Sequence, residues 1–274
     1  MTDLDGTALR EMNRRVTIAP EVASGLKALR AHGRPIILNT LRFPANVIRS
    51  MGPQWHAIQG GAVPLISLNG GIGGMIERTA SGAMGFEEIF AEPLTREEIE
   101  TVLSELEAEM EAGAPDPLLF FHPRDWRLGE TLWTPEEGRI PDLKRRYPHA
   151  DRVISLEMGV LRDELLSRDI CLVLMPHGDL PIYRQQQRRD FFTGGTADKL
   201  SGARRMTEAL GVELAQSIGA GDTEMDVFLT GTGLAIRVGA QQLEYEGVVG
   251  TIDVADPEGF GATMLMLAGL LGEG

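Results

Sequence analysis

The sequence opens with two aspartates one residue apart, in Asp3-Leu4-Asp5-Gly6-Thr7. One carboxylate can attack phosphorus as a nucleophile. A second beside it can protonate a leaving alkoxide and then activate water against the acyl phosphate, so two acids cover both halves of a hydrolysis. This requires a strand to end at Asp3 and Gly6 to turn the chain tightly after it. Bringing a phosphate dianion onto a carboxylate is opposed by Coulomb repulsion, so a hard cation such as Mg²⁺ is expected, and with it another acid downstream. Asp222 in Gly219-Ala220-Gly221-Asp222-Thr223-Glu224-Met225-Asp226 meets that need. It follows a short apolar strand and opens a helix, and ligands bind at the carboxyl ends of strands in open α/β sheets. Thr40 at the end of one strand and Lys199 at the start of one helix offer a hydroxyl and an ammonium to the equatorial oxygens of a transferring phosphoryl group.

The elements that would hold these residues alternate. Helical patterns at 21–32, 96–112, 161–167, 200–210 and 261–271 are interleaved with apolar strand-like runs at 35–38, 64–68, 118–121, 153–156, 170–175, 216–220 and 234–238. Thr95 followed by Glu98 is a capping box, and Ile99, Val102, Leu103, Leu106 and Met110 share one helical face. The rhythm predicts an α/β fold, a doubly wound parallel sheet. Residues 1–77 and 190–274 would form the core, with 78–189 as an inserted α+β domain.

Asp3 to Thr7, Thr40, Lys199 and Gly221 to Asp226 resemble, in order, the four motifs of haloacid dehalogenase (HAD) superfamily phosphatases, whose core is Rossmann-like. The resemblance implies that Asp3 is the nucleophile and a Mg²⁺ ligand. It makes Asp5 the general acid/base with its carbonyl on the metal, and Asp222 the remaining metal carboxylate. Thr40 and Lys199 would hold the phosphoryl oxygens, and Asp226 would steady the lysine or the metal's waters. The long stretch between Thr40 and Lys199 is similar to the subgroup with its cap inserted between the second and third motifs, the Cof-like and sugar-phosphate phosphatases, including those acting on mannosyl-3-phosphoglycerate. Thr40-Leu41-Arg42 and Asn69-Gly70 resemble that subgroup's substrate-facing segments. Arg42 is read as a substrate ligand or as a solvent-facing helix residue, and Asn69-Gly70 as a substrate contact, a turn, or both. The family has an apolar strand before its nucleophile. Here Met1 and Thr2 alone precede Asp3, so either the chain starts further upstream or the sheet lacks its central strand.

The expected activity is hydrolysis of a small phosphate ester of a sugar or related metabolite. A phosphomutase, a phosphate-accepting signalling module and an inactive binding protein are the alternatives. With 26 basic and 40 acidic residues the formal charge is -14, which argues against affinity for nucleic acid or anionic membrane. The single cysteine, Cys171, excludes an internal disulfide, and no apolar run approaches the ~20 residues of a membrane span, which together suggest a cytoplasmic protein. Phe121, Trp126 and Trp133 are assigned to the core of the insert, with the wall of a sugar site as the alternative. His122, His149 and His177 lack zinc-site spacing. Arg184, Arg188 and Arg189 are assigned to a solvated face.

Overall fold

A computed structural model describes residues 1–12, 15–114, 116–176, 191–239 and 250–272; His177, Arg184, Arg188 and Arg189 lie outside them. The chain forms two compact units, Met1–Phe90 with Asp198–Gly274, and Ala91–Ala197.

The first unit begins with the hairpin β1 (Leu9–Met12) and β2 (Arg15–Ile18). Helix α1 (Pro20–Ala31) opens on Pro20, where the missing N–H is one that no helical partner would have satisfied. Then come β3 (Leu38–Asn39), α2 (Pro44–Gln59), β4 (Val63–Ser67), β5 (Ile72–Arg78) and β6 (Met84–Ala91). The antiparallel pairing of β5 with β4, with β6 beside β5, ties residues 72–90 into this unit, which extends past the expected edge at 77/78 to 90/91. The other expected boundary, 189/190, is outside the described residues.

The second unit contains α3 (Arg96–Glu111), β7 (Leu119–Pro123), β8 (Thr131–Thr134), α4 (Ile140–Arg146), β9 (Arg152–Ser155), α5 (Met158–Leu166), β10 (Ile170–Leu174) and β11 (Phe191–Thr193). Its five strands run in the order β11-β10-β7-β8-β9. Helix α3 starts with the expected capping box, Thr95 Oγ1 accepting from Glu98 N while Thr95 N donates to Glu98 Oε2 at 2.7 Å. Its Ile99, Val102, Leu103 and Leu106 are buried with Leu161 and Leu165 of α5 and Leu119, Phe121 and Trp133 of the sheet. Each side chain so buried contributes roughly 1.5–3 kcal/mol. Trp126 is not part of this core. It sits half-buried in a short 3₁₀ turn with the Arg127 guanidinium 5.3 Å from its ring centre.

The chain returns to the first unit with α6 (Lys199–Ala209), β12 (Ile218–Gly221), β13 (Leu234–Val238), β14 (Thr251–Val254) and α7 (Pro257–Gly272). Residues 222–226 form a loop, and the helix expected there is a 3₁₀ turn at Val227–Gly231. The parallel strands β12-β13-β14 and the set β3-β4-β5-β6 are joined through Thr2, which bridges in parallel to Leu38 and to Ala220. Thr2 N donates to Ile37 O and Asn39 N to Thr2 O, while Asp3 N donates to Ala220 O, each at 2.9 Å. The central position of the sheet is therefore filled, by Met1 to Asp3. Among the described residues no helix is long and apolar enough to cross a membrane.

Candidate active site

Asp3, Thr40 and Asp222 each stand where a parallel strand of the first unit ends: the central segment, β3 and β12. Residues from non-consecutive parts of the sequence converge there because the strands are parallel and adjacent. The loop after Asp3 reaches Asp222 in two ways. Thr7 Oγ1 donates to Asp222 Oδ1 at 3.1 Å. Gly6 has φ +80°, and a Cβ there would lie 2.0 Å from Asp222 Oδ2, so glycine is required by both conformation and space.

Lys199 is the first residue of α6, whose N-terminus is fixed by a reciprocal cap between Asp198 and Ser201. Its buried Nζ donates to Asp3 Oδ1 and to Asp226 Oδ1, both at 2.6 Å. The other oxygen of Asp226 accepts from the N–H groups of Asp222 at 2.9 Å and Thr223 at 3.0 Å. Asp226 thus orients the lysine and shapes the loop that carries Asp222.

Asp5 is gripped by Arg42, whose Nη2 donates to Oδ1 at 2.6 Å and Nε to Oδ2 at 2.7 Å. Thr40 is buried; its N–H donates to Ile66 O at 2.9 Å and its Oγ1 accepts from Arg42 N at 3.1 Å. Asn69 and Gly70 form a turn with φ of 54° and 93°. Asn69 N donates to Thr40 O at 3.2 Å, and a Cβ on Gly70 would be 2.0 Å from Asp198 O. The turn is therefore seated on the start of α6, which is why a glycine follows the asparagine.

Burial pushes Asp3 well above the ordinary carboxylate range, against the pull of Lys199 and with repulsion from Asp226, Asp222 and Asp5. Asp222 is raised to about 6, by burial first and Asp226 second. Burial works against the charge on Lys199, yet Asp226 and Asp3 more than compensate and raise it. Asp3, Asp5, Asp222 and Asp226 against Lys199 and Arg42 amount to four negative groups facing two positive ones, a surplus that a divalent cation would neutralise. Asp3, Asp222 and Asp226 each offer an oxygen within 4.8 Å of the others, the grouping among the described residues that could hold a metal. Carboxylate oxygens suit Mg²⁺, so the donor set fits the ion. Both oxygens of Asp226 are already engaged, which favours Asp3 and Asp222 as the carboxylates that would hold it.

Four contributors to this arrangement were not singled out from the sequence. Thr7 holds Asp222. Asn39, fully buried, donates from Nδ2 to Lys199 O at 2.8 Å and so ties β3 to α6. Asp198 and Ser201 cap α6. The Asp-x-x-Ser spacing was a readable cap signal, and a polar Asn39 ending an apolar run was another; Thr7 had none beyond its place in the motif.

The architecture, a Rossmann-like core interrupted by an insert, is similar in fold to solved structures of haloacid dehalogenase superfamily proteins. The sequence matches no family model and no curated protein. Among solved structures, an HAD subclass IIB sugar phosphatase superposes with a TM-score of 0.66 at 17% identity, with 97% of each chain covered. A phosphatase of the same superfamily from Bacteroides thetaiotaomicron gives 0.64 at 14% identity, covering 98% of this chain and 94% of that one. A haloacid dehalogenase-like hydrolase from B. subtilis gives 0.59 at 17% identity, with 96% of each covered. At such identities the likeness is one of fold.

Proposed function

We propose that the protein is a Mg²⁺-dependent phosphatase that hydrolyses a phosphomonoester of a sugar or related small metabolite through an aspartyl phosphate on Asp3. The observation that carries this reading is the convergence of Asp3, Lys199, Asp226 and Asp222 at the carboxyl ends of the central strands, linked by the 2.6 Å bonds of Lys199. The sugar phosphatase among the structural neighbours supports the substrate class.

An Asp3 oxygen attacks phosphorus as the bond to the leaving oxygen breaks, and a protonated Asp5 delivers its proton to that oxygen. The resulting Asp5 carboxylate then takes a proton from the water that attacks the acyl phosphate, releasing phosphate and restoring Asp3. Thr40 and Lys199 hold the equatorial oxygens, where the charge of the transferring group lies. Bound Mg²⁺ would neutralise phosphate and carboxylate charge between Asp3, the Asp5 carbonyl and Asp222. The Asn69-Gly70 turn and the loop carrying Arg42 border Thr40, and the turn is proposed to face the substrate side. The test is a phosphate-release screen over sugar phosphates with Mg²⁺, using Asp3→Asn as the control. Release by the wild type and none by the variant supports the reading; equal release by both, or none by either, refutes it.

A further inference from the structure

We propose that Arg42 is a positioning residue for the acid/base Asp5, acting on the reaction through that carboxylate and not as a ligand of the substrate phosphate. The inference rests on the reading of Asp5 given above. Both oxygens of Asp5 lie in the guanidinium fork, at 2.6 and 2.7 Å through Nη2 and Nε. A bidentate fork fixes the plane of a carboxylate as well as its place, which a lysine at the same site could not do.

Arg42 is itself held from behind. Its N–H donates to Thr40 Oγ1 at 3.1 Å, and its carbonyl accepts from Ser67 Oγ and, at 3.4 Å, from Leu68 N. Its side chain is 11% exposed while that of Asp5 is 32% exposed, so the arginine supports from below and the carboxylate is presented to the solvent side. Stability gives little reason for the pair, since ion pairs open to water contribute ~0–1 kcal/mol and an arginine under cover has desolvation to recover. Orientation gives a better one.

The test is a double-variant cycle in kinetics with p-nitrophenyl phosphate and a hexose 6-phosphate. Arg42→Ala should lower kcat by ~10²-fold, the low end of what a displaced general acid/base loses, with KM within threefold of wild type. Adding guanidinium ion should restore part of kcat, and Arg42→Lys should lie between the two. In an Asp5→Asn background, Arg42→Ala should cost less than a further twofold. A raised KM at unchanged kcat, or losses that multiply in the double variant, would overturn the proposal and make Arg42 a substrate ligand. A second cycle needs no turnover: thermal unfolding of Arg42→Ala, Asp5→Ala and the double variant should give non-additive Tm shifts, and strictly additive shifts would show that the pair does not form. A wild type that releases no phosphate would count against the proposed function, while the thermal cycle would still decide the pairing.

Discussion

At the scale of single residues the site is a problem of charge. Lys199 Nζ, at 2.6 Å from both Asp3 and Asp226, neutralises one negative charge between two carboxylates, and Asp222 adds another beside them. Asp3→Asn keeps the volume but cannot form the acyl phosphate, so turnover should fall to background while the far-UV spectrum and Tm stay native. Activity within tenfold of wild type would remove Asp3 from its role. Removing the repulsion should be visible without substrate as well. Mg²⁺ at a hundred times its Kd should stabilise the folded state by about 2.7 kcal/mol, read in a melting experiment as a Tm rise of several degrees. Asp222→Asn should abolish most of that rise, and EDTA should abolish phosphate release. Equal Mg²⁺ shifts in both proteins would place the metal elsewhere.

At the scale of elements, two features show what local sequence controls and what it does not. The capping box of α3 and its apolar face were both readable, because each depends on residues within one or two turns. The turn at Leu68, Asn69 and Gly70 was not fully readable. Leu68 and Asn69 both have positive φ, a conformation costing roughly 1–2 kcal/mol for an L-residue, and it is held by the bonds of Leu68 N to Arg42 O and Asn69 N to Thr40 O.

In the second unit, β7 and the loop before β8 bring His122 and Glu130 together at 3.5 Å, with His149 at 3.4 Å from the other Glu130 oxygen. Burial, then Asp151, pushes Glu130 up to about 8, and burial, then His149, pushes His122 down to about 3. The folded state holds the Glu130 proton more tightly than the unfolded chain does. Its contribution to stability is thus complete below the ordinary value of 4.5 and is lost as pH rises towards 8. The His122 contribution runs the other way, lost as pH falls below 6.5. Between pH 5 and 8 the Tm of Glu130→Gln should therefore fall less than that of wild type, and parallel profiles in calorimetry would contradict the assignment.

At the scale of the molecule, the residues proposed to handle the phosphoryl group all belong to the unit formed by Met1–Phe90 and Asp198–Gly274. On the proposed reading, that unit supplies the nucleophile, the acid/base and the phosphoryl ligands, and these recognise what all phosphate esters share. Selection among leaving groups is therefore proposed to reside in Ala91–Ala197, which has its own sheet and core. A variant with this unit replaced by a short Gly/Ser linker, once shown to be folded, should still hydrolyse p-nitrophenyl phosphate slowly. It should lose most of its preference among sugar phosphates. Retention of the full-length ranking would assign selectivity to the first unit.

The sequence by itself determined the chemistry available and the order in which it is laid out: Asp3 and Asp5, then Thr40, then Lys199, then Asp222 and Asp226. Motif spacing and βα rhythm are short-range properties, so they survive in a linear reading, and they were enough to indicate an α/β core with an insert. The tertiary structure decided who touches whom. That Arg42 grips Asp5, that Asn39 ties β3 to the start of α6, and that Thr7 holds Asp222 across 215 positions depends on which strands are neighbours in the sheet. It also decided that Met1 to Asp3 serve as the central strand, although two residues before Asp3 carry no strand signal of their own. The pairing comes from the free edges of β3 and β12, whose backbone groups find their partners in Thr2, Asp3 and Met1. Hydrogen bonds between strands far apart in the chain leave no periodic trace in either strand's residues, so such contacts become visible only when the sheet is assembled.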